Sequence, residues 1–274
     1  MGVDAAAAGY ALFVWWFSTG VILVLDLLPR RTYRWSMLFG TAVFAVCLWR
    51  LAAGASDTSL AGTYAAFTYA VLAWGWQEMS FFMGVVTGPR RVGCRPDATL
   101  GQRFRDGVAA CLYHELAIIV TAAVVVTSTW GAPNQVGTWT FMVLWGMRQS
   151  AKLNVFLGVR NLGERFLPPH LRYLRTYMDE RPMNLLMPVS ITAGTVLVAM
   201  LAVAAGQPGI SGATAAGLTF VATMLALAVL EHWMLVLPIP FERLWVWALA
   251  IGQPRKARDA KQAGFRNHLW GSST

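Results

Sequence analysis

The stretch YHELAIIV, residues Tyr113–Val120, decides how the chain is read. A histidine–glutamate pair, His114 and Glu115, sits inside a long apolar run. The same two residues recur in reverse order, Glu231 and His232, inside VLEHWML, residues Val229–Leu235. A charged side chain in a bilayer core is costly and normally faces protein or water. The reading therefore turns on whether the runs around these pairs cross a membrane.

Composition says that they do. Of 274 residues, 57% are hydrophobic and 13% are charged, where a soluble domain carries roughly a quarter charged residues. A bilayer-spanning helix needs about 20 mostly apolar residues. Seven stretches qualify, roughly 7–28, 35–54, 60–86, 107–130, 137–158, 184–205 and 213–236. Pro and Gly punctuate the joins, in LPRR, TGPRR, GAPNQ and GQPG. The fold class expected is all-α, a polytopic seven-transmembrane-helix bundle forming a single domain over 1–252, followed by a basic cytoplasmic tail, 253–274. The first apolar run carries Asp4 and no preceding Lys or Arg, unlike a secretory signal.

The net charge of +9 has a definite sidedness. Nineteen of the 22 basic residues fall between spans 1 and 2, 3 and 4, 5 and 6, or after span 7. The opposite side has Arg50 alone, and Arg148 and Lys152 lie within span 5. Basic loops mark the cytoplasmic side, so the N-terminus is expected in the periplasm and the C-terminus in the cytoplasm. A nucleic-acid partner is excluded, because the basic residues follow the loops rather than one soluble face. Trp35, Trp49, Trp130, Trp139 and Trp233 fall near span ends, as interfacial belts do. Cys47, Cys94 and Cys111 are an odd set without metal-site spacing and read as free thiols. The segment FERLWVWALAIG, 241–252, reads as a short interfacial element.

The ionisable residues inside the spans form a layer. Glu78, His114, Glu115, Arg148, Lys152, Glu231 and His232 all fall roughly 7–15 Å below the basic side at 1.5 Å rise per residue, and Asn154 lies beside them. One reading is a structural charge network, in which Arg148 and Lys152 neutralise two of the glutamates. On that reading, removing Glu231 unpairs Arg148. A second is a transition-metal site built from Glu78, His114, Glu115, Glu231 and His232, donors that suit iron, manganese or zinc. Adjacent residues point about 100° apart on a helix, which fits that reading less well than Glu-x-x-His spacing. A third is axial ligation of a tetrapyrrole by His114 or His232, with the deep Trp74 and Trp145 flanking the ring. A proton or ion pathway is the fourth. A retinal protein is excluded, since residues 213–236 contain no Lys.

Several long motifs resemble a known family. WWFSTGVILVLDLLPRRTYRWSM, WGWQEMSFFMGVVTGPRR, YHELAIIV, PNQVGTWTF, SAKLNVFLGV, FLPPHLRYLRTYM, RPMNLLMPVS and LEHWMLVLP are similar to the PuhE family, photosynthetic complex assembly protein 2 of phototrophic bacteria. The likeness runs from about Tyr10 to Leu249. It implies a multi-pass protein of the bacterial inner membrane, cytoplasmic or intracytoplasmic. It implies coding among photosynthesis genes, near the reaction-centre H subunit. It implies a role in assembly of the reaction centre and core antenna and in bacteriochlorophyll supply. The partners implied are the lipid bilayer and photosynthetic complex subunits or pigment-synthesis proteins. The cofactor candidates are bacteriochlorophyll or a transition metal. The resemblance carries no catalytic residues, so whether the chain is an enzyme stays open. The alternative function is a membrane metal-dependent oxidoreductase acting on a tetrapyrrole, carotenoid or lipid through the Glu/His site. The loop 159–183 is the expected contact surface for a partner.

Overall fold

The computed structural model describes residues 3–163, 167–239 and 241–251. The basic tail 253–274, with Arg165 and Phe166 of the loop, lies outside the described residues. The rest is mainly helical. Seven long helices follow in order: α1 Val3–Leu27, α2 Arg30–Ala53, α3 Leu60–Phe82, α4 Leu100–Ser128, α5 Val136–Leu157, α6 Leu186–Ala205 and α7 Gly212–Met234. A 3₁₀ helix, Pro169–Tyr177, lies between α5 and α6, and a second, Phe241–Trp245, leads into the short α8, Val246–Ile251. Among the described residues the one β-pairing is an isolated bridge between Val159 and Glu180.

Local chemistry sets the helix ends. Pro29 stands just before α2, where its missing N–H costs nothing. Ser59 accepts from Gly62 N–H at the start of α3, and Ser211 accepts from Thr214 N–H at the start of α7. Thr99 and Gln102 form a reciprocal capping box on α4. That box starts α4 seven residues before the span expected from hydropathy, so Arg103 and Arg105 are helical rather than looped. The third span is shorter than expected for the opposite reason. The run MGVV continues the apolar pattern past Phe82, but Gly84 takes φ +74°, a conformation that favours glycine, and turns the chain back.

Five helices are long and apolar enough to cross a membrane: Asp4–Leu27, Arg30–Ala53, Leu100–Ser128, Leu186–Ala205 and Gly212–Met234. The chain is thus an all-helical, multi-pass membrane protein. Of the long helices, α3 and α5 lack such an apolar window, and they are the two that carry Gln77 with Glu78 and Arg148 with Gln149, Lys152 and Asn154. They sit against each other and against α7, with α1 packed on α3 and α7, α2 on α3, α4 on α5, and α6 on α7. Outward faces are apolar, as a lipid environment requires: Leu38, Phe39, Val196, Met200 and Val203 are exposed. Trp35, Trp49, Trp130, Trp139 and Trp233 are all exposed as well.

The core has three parts. Between α1, α3 and α7, Phe67 stacks on Phe220 with centroids 4.3 Å apart, and Tyr10 reaches the Thr68 hydroxyl at 2.8 Å. Between α3, α4 and α5, Trp74 packs edge-on against Phe141 beside Ile118 and Ala122. At the arginine-rich end, Phe81 and Ala110 meet Leu171, Leu174 and Tyr177 of the first 3₁₀ helix. The segment after α7 also folds inward. Trp16 donates to Leu244 O at 2.9 Å, Trp245 donates to Trp16 O at 3.0 Å, and Trp247 packs over Gly20. The element read as interfacial is therefore docked along α1.

Candidate functional site

The polar layer is organised around α5. Residues 148–154 span about two helical turns, so their side chains leave the axis in every direction. Arg148 reaches α3, where its Nη2 lies 3.0 Å from Glu78 Oε2. Lys152 and Gln149 reach α4 and share Glu115, Lys152 as a close ion pair and Gln149 through Nε2 at 2.5 Å. Ser150 reaches α7 and α6, with its hydroxyl 2.9 Å from His232 Nε2 and 2.9 Å from Ser190 Oγ. Asn154 donates to Ser150 O and to Ser190 Oγ, and Asn184 donates to Asn154 O and Gly158 O. One helix thereby ties four others through three sets of polar contacts.

His232 is fully engaged. Its Nδ1 donates to Ala228 O at 2.8 Å, which leaves Nε2 to face Ser150. Glu231 points elsewhere. It is exposed, and its Oε1 accepts from Trp15 Nε1 of α1 at 3.1 Å. The expected pairing of Glu231 with Arg148 is therefore corrected: Arg148 is bound to Glu78. The reason is azimuth, since α5 lies between α3 and α7 and turns its guanidinium towards α3.

His114 is the opposite case. It is 0% exposed, its ring lies 4.6 Å from that of Phe81, and neither ring nitrogen has a hydrogen-bond partner. A buried polar group without a partner costs about 1–3 kcal/mol, so its presence asks for an explanation. The backbone around it is also unusual. The segment following α3 bends under Gly84 and runs into the side of α4. His114 N–H donates to Thr87 O at 2.9 Å, and Arg90 N–H approaches Ala109 O at 3.4 Å. Gly88 presses so closely that a Cβ there would stand 2.2 Å from Ala109 O. Irregular backbone at membrane depth persists only where protein covers it, and here the cover is the cap described next.

The described part of the loop expected to contact a partner forms that cap. Tyr177 donates to Val92 O and accepts from Arg90 Nε, Cys94 N–H donates to Thr176 Oγ1, and Arg103 stands over the Phe156 ring. His170 Nε2 donates to Phe82 O at 2.9 Å, and its ring closes on Gly84. Burial pushes the His170 imidazole below its usual range; the Phe82 carbonyl opposes this, and Arg30 and Arg91 reinforce it. Burial likewise raises the Tyr173 phenol. Asn161 then closes the end of α7, donating through its backbone to Leu235 O and through Nδ2 to Met234 O.

Other expected site residues fall as follows. Glu78 and Glu115 are each committed to a base, and His114, His232 and Glu231 belong to separate seams. Among the described residues no group of three or more His, Cys, Asp or Glu side chains is placed to hold a metal ion. Trp74 is buried in protein packing, and Trp145 lies against the same cluster. All three cysteines are free.

The comparisons place the chain. It belongs to the family described as "Protein of unknown function (DUF3623)", which matches residues 1–256. A relative in Rhodobacter capsulatus, the "Uncharacterized 30.4 kDa protein in puhA 5'region", is 39% identical over 242 residues, covering 87% of this chain and 88% of that one. No solved structure matches. Residues that sequence reasoning passed over include Gln149, Ser150 and Ser190 in the α5 seam, and Gln77, whose Nε2 donates to Thr121 at 2.7 Å. The one available signal was spacing, since Ser150 and Asn154 are one turn apart.

Proposed function

We propose that this family member is an integral membrane factor for assembly of the bacterial photosynthetic complex, the reaction centre and its core antenna, and that it handles bacteriochlorophyll at His114. The relative's position 5′ of puhA supports a photosynthesis-related role, because it fits the gene neighbourhood that the sequence resemblance implies. The observation that carries the pigment reading is His114 itself, enclosed beside Phe81 with both ring nitrogens free. An imidazole lone pair of this kind is an ordinary axial ligand for a tetrapyrrole metal. Of the two histidines in the layer, His232 already has partners on both nitrogens.

On this reading the protein's own residues do three things. His114 supplies the ligating nitrogen. The segment 83–91 covers it and excludes competing ligands until withdrawn, and Gly84 and Gly88 let that segment seat closely. The α5 seam keeps the bundle rigid around His114. We further propose that all seven long helices cross the inner membrane as one unit through residue 252, α3 and α5 shielded by the other five. The arginine-rich end and the tail 253–274 are then cytoplasmic and the N-terminus periplasmic, supported by the sidedness of the basic residues.

The test is pigment and magnesium content per chain, by absorbance and elemental mass spectrometry, on protein purified from native membranes. Wild type and Ser150→Ala are expected to carry bound pigment with near-equal magnesium. His114→Leu is expected to be folded and pigment-free. Pigment-free wild type, or full retention by His114→Leu, sinks the pigment reading.

A further inference from the structure

At the end of the bundle opposite the arginine-rich one, a cleft of about 240 Å³ opens between the end of α2, the start of α3 and the α4–α5 junction. Its walls are pinned before any ligand arrives. Asn134 donates through Nδ2 to Asp57 O at 2.8 Å and through its backbone to Ala55 O at 3.0 Å. Thr129 and Thr138 hydroxyls meet at 2.7 Å on the far side.

Arg50 lines this cleft and is exposed. Among the described residues it is the one basic side chain at this end of the bundle. Its guanidinium is held but not neutralised. The carbon Cζ lies 5.7 Å from the Trp49 ring and 5.7 Å from the Tyr69 ring, and Nε donates to the Tyr69 hydroxyl at 3.3 Å. Among the described residues its two terminal amino groups have no hydrogen-bond or ion-pair partner. Asp57, the carboxylate of the lining, accepts from Ser59 N–H at 2.9 Å and is not ion-paired with Arg50. Tyr69, accepting from Arg50, still has its own O–H to donate.

A planar guanidinium with a free edge matches an oxyanion in bidentate fashion better than any other ligand class. The volume suits a headgroup, being about eight waters at roughly 30 Å³ each, and is smaller than pockets that enclose whole small molecules. The exposed Trp49 and Trp130 beside it mark headgroup depth. We propose that this cleft binds the phosphate of an anionic lipid from the adjoining leaflet, with Arg50 and Tyr69 as its donors.

The experiment uses the full chain in detergent, titrated with phosphatidylglycerol, phosphatidylcholine or inorganic phosphate, and read by native mass spectrometry and thermal melting. Wild type is expected to retain one phosphatidylglycerol and to melt several degrees higher with it, with no such gain from phosphatidylcholine. Arg50→Ala is expected to weaken the phosphatidylglycerol adduct at least tenfold and Arg50→Lys less. Tyr69→Phe is expected to weaken it about threefold and keeps the test live if Arg50→Ala does not fold. Equal binding of the two lipids, unchanged affinity in Tyr69→Phe and Arg50→Lys, or equal protection by inorganic phosphate alone overturns the proposal.

Discussion

His114 and His232 are matched in sequence and opposed in structure. Each stands next to a glutamate, and each is enclosed, 0% and 1% exposed. His232 lies in a seam where α5, α6 and α7 exchange hydrogen bonds, and both of its nitrogens are used. His114 lies where an irregular segment meets α4, and neither nitrogen is used. The first is a strut. The second keeps a cost that packing alone does not repay, which is the pattern expected of a site that trades stability for a ligand.

The comparison can be broken most sharply at the hub. Arg148→Leu leaves Glu78 without its partner in a seam where those side chains are 31% and 14% exposed. The expected loss is about 3 kcal/mol, the lower end for a broken buried pair, seen as a lower thermal midpoint in detergent. Adding Glu78→Leu recovers most of it. Glu231→Gln, by contrast, should cost less than about 1 kcal/mol, because Glu231 makes one hydrogen bond at an exposed position. If Glu231→Gln proved the more damaging of the two, the assignment of Arg148 to Glu78 would be wrong.

Next in size is the pair of histidine replacements. His232→Leu removes two hydrogen bonds, to Ser150 and to Ala228 O, and should cost about 1–3 kcal/mol. His114→Leu removes a polar group that has no partner, and its melting midpoint should equal or exceed that of pigment-free wild type. Equal destabilisation by both variants would erase the distinction between strut and site.

The smallest effect concerns the cap. His170 has its folded pKa lowered, chiefly by burial, from an ordinary value of 6.5. The neutral ring is thus favoured by folding. Its contribution is fully present above pH 6.5 and is lost as the pH falls below that value and through the folded pKa. Melting curves between pH 7.5 and 5 should drop more steeply for wild type than for His170→Gln, and parallel curves would show that the cap does not depend on this ring.

Much of the architecture is legible in the sequence. Apolar run length, Pro and Gly at the joins, and the one-sided arginines are local properties, readable from neighbours in the chain. The polar layer was legible as a set of residues for the same reason, since helix rise converts position into depth. Its partners were not. Whether Arg148 meets Glu78 or Glu231 depends on the rotation of α5 about its axis, which packing against α3, α4 and α7 sets. MGVV has the hydropathy of a helix, and only the close seat of Gly84 and Gly88 against His170 and α4 turns it into a covering segment. Sequence by itself determined that this is a helical membrane protein with a charged layer near its arginine-rich end. Tertiary structure alone decided which histidine is bonded and which is left open, because hydrogen-bond partners come from other helices.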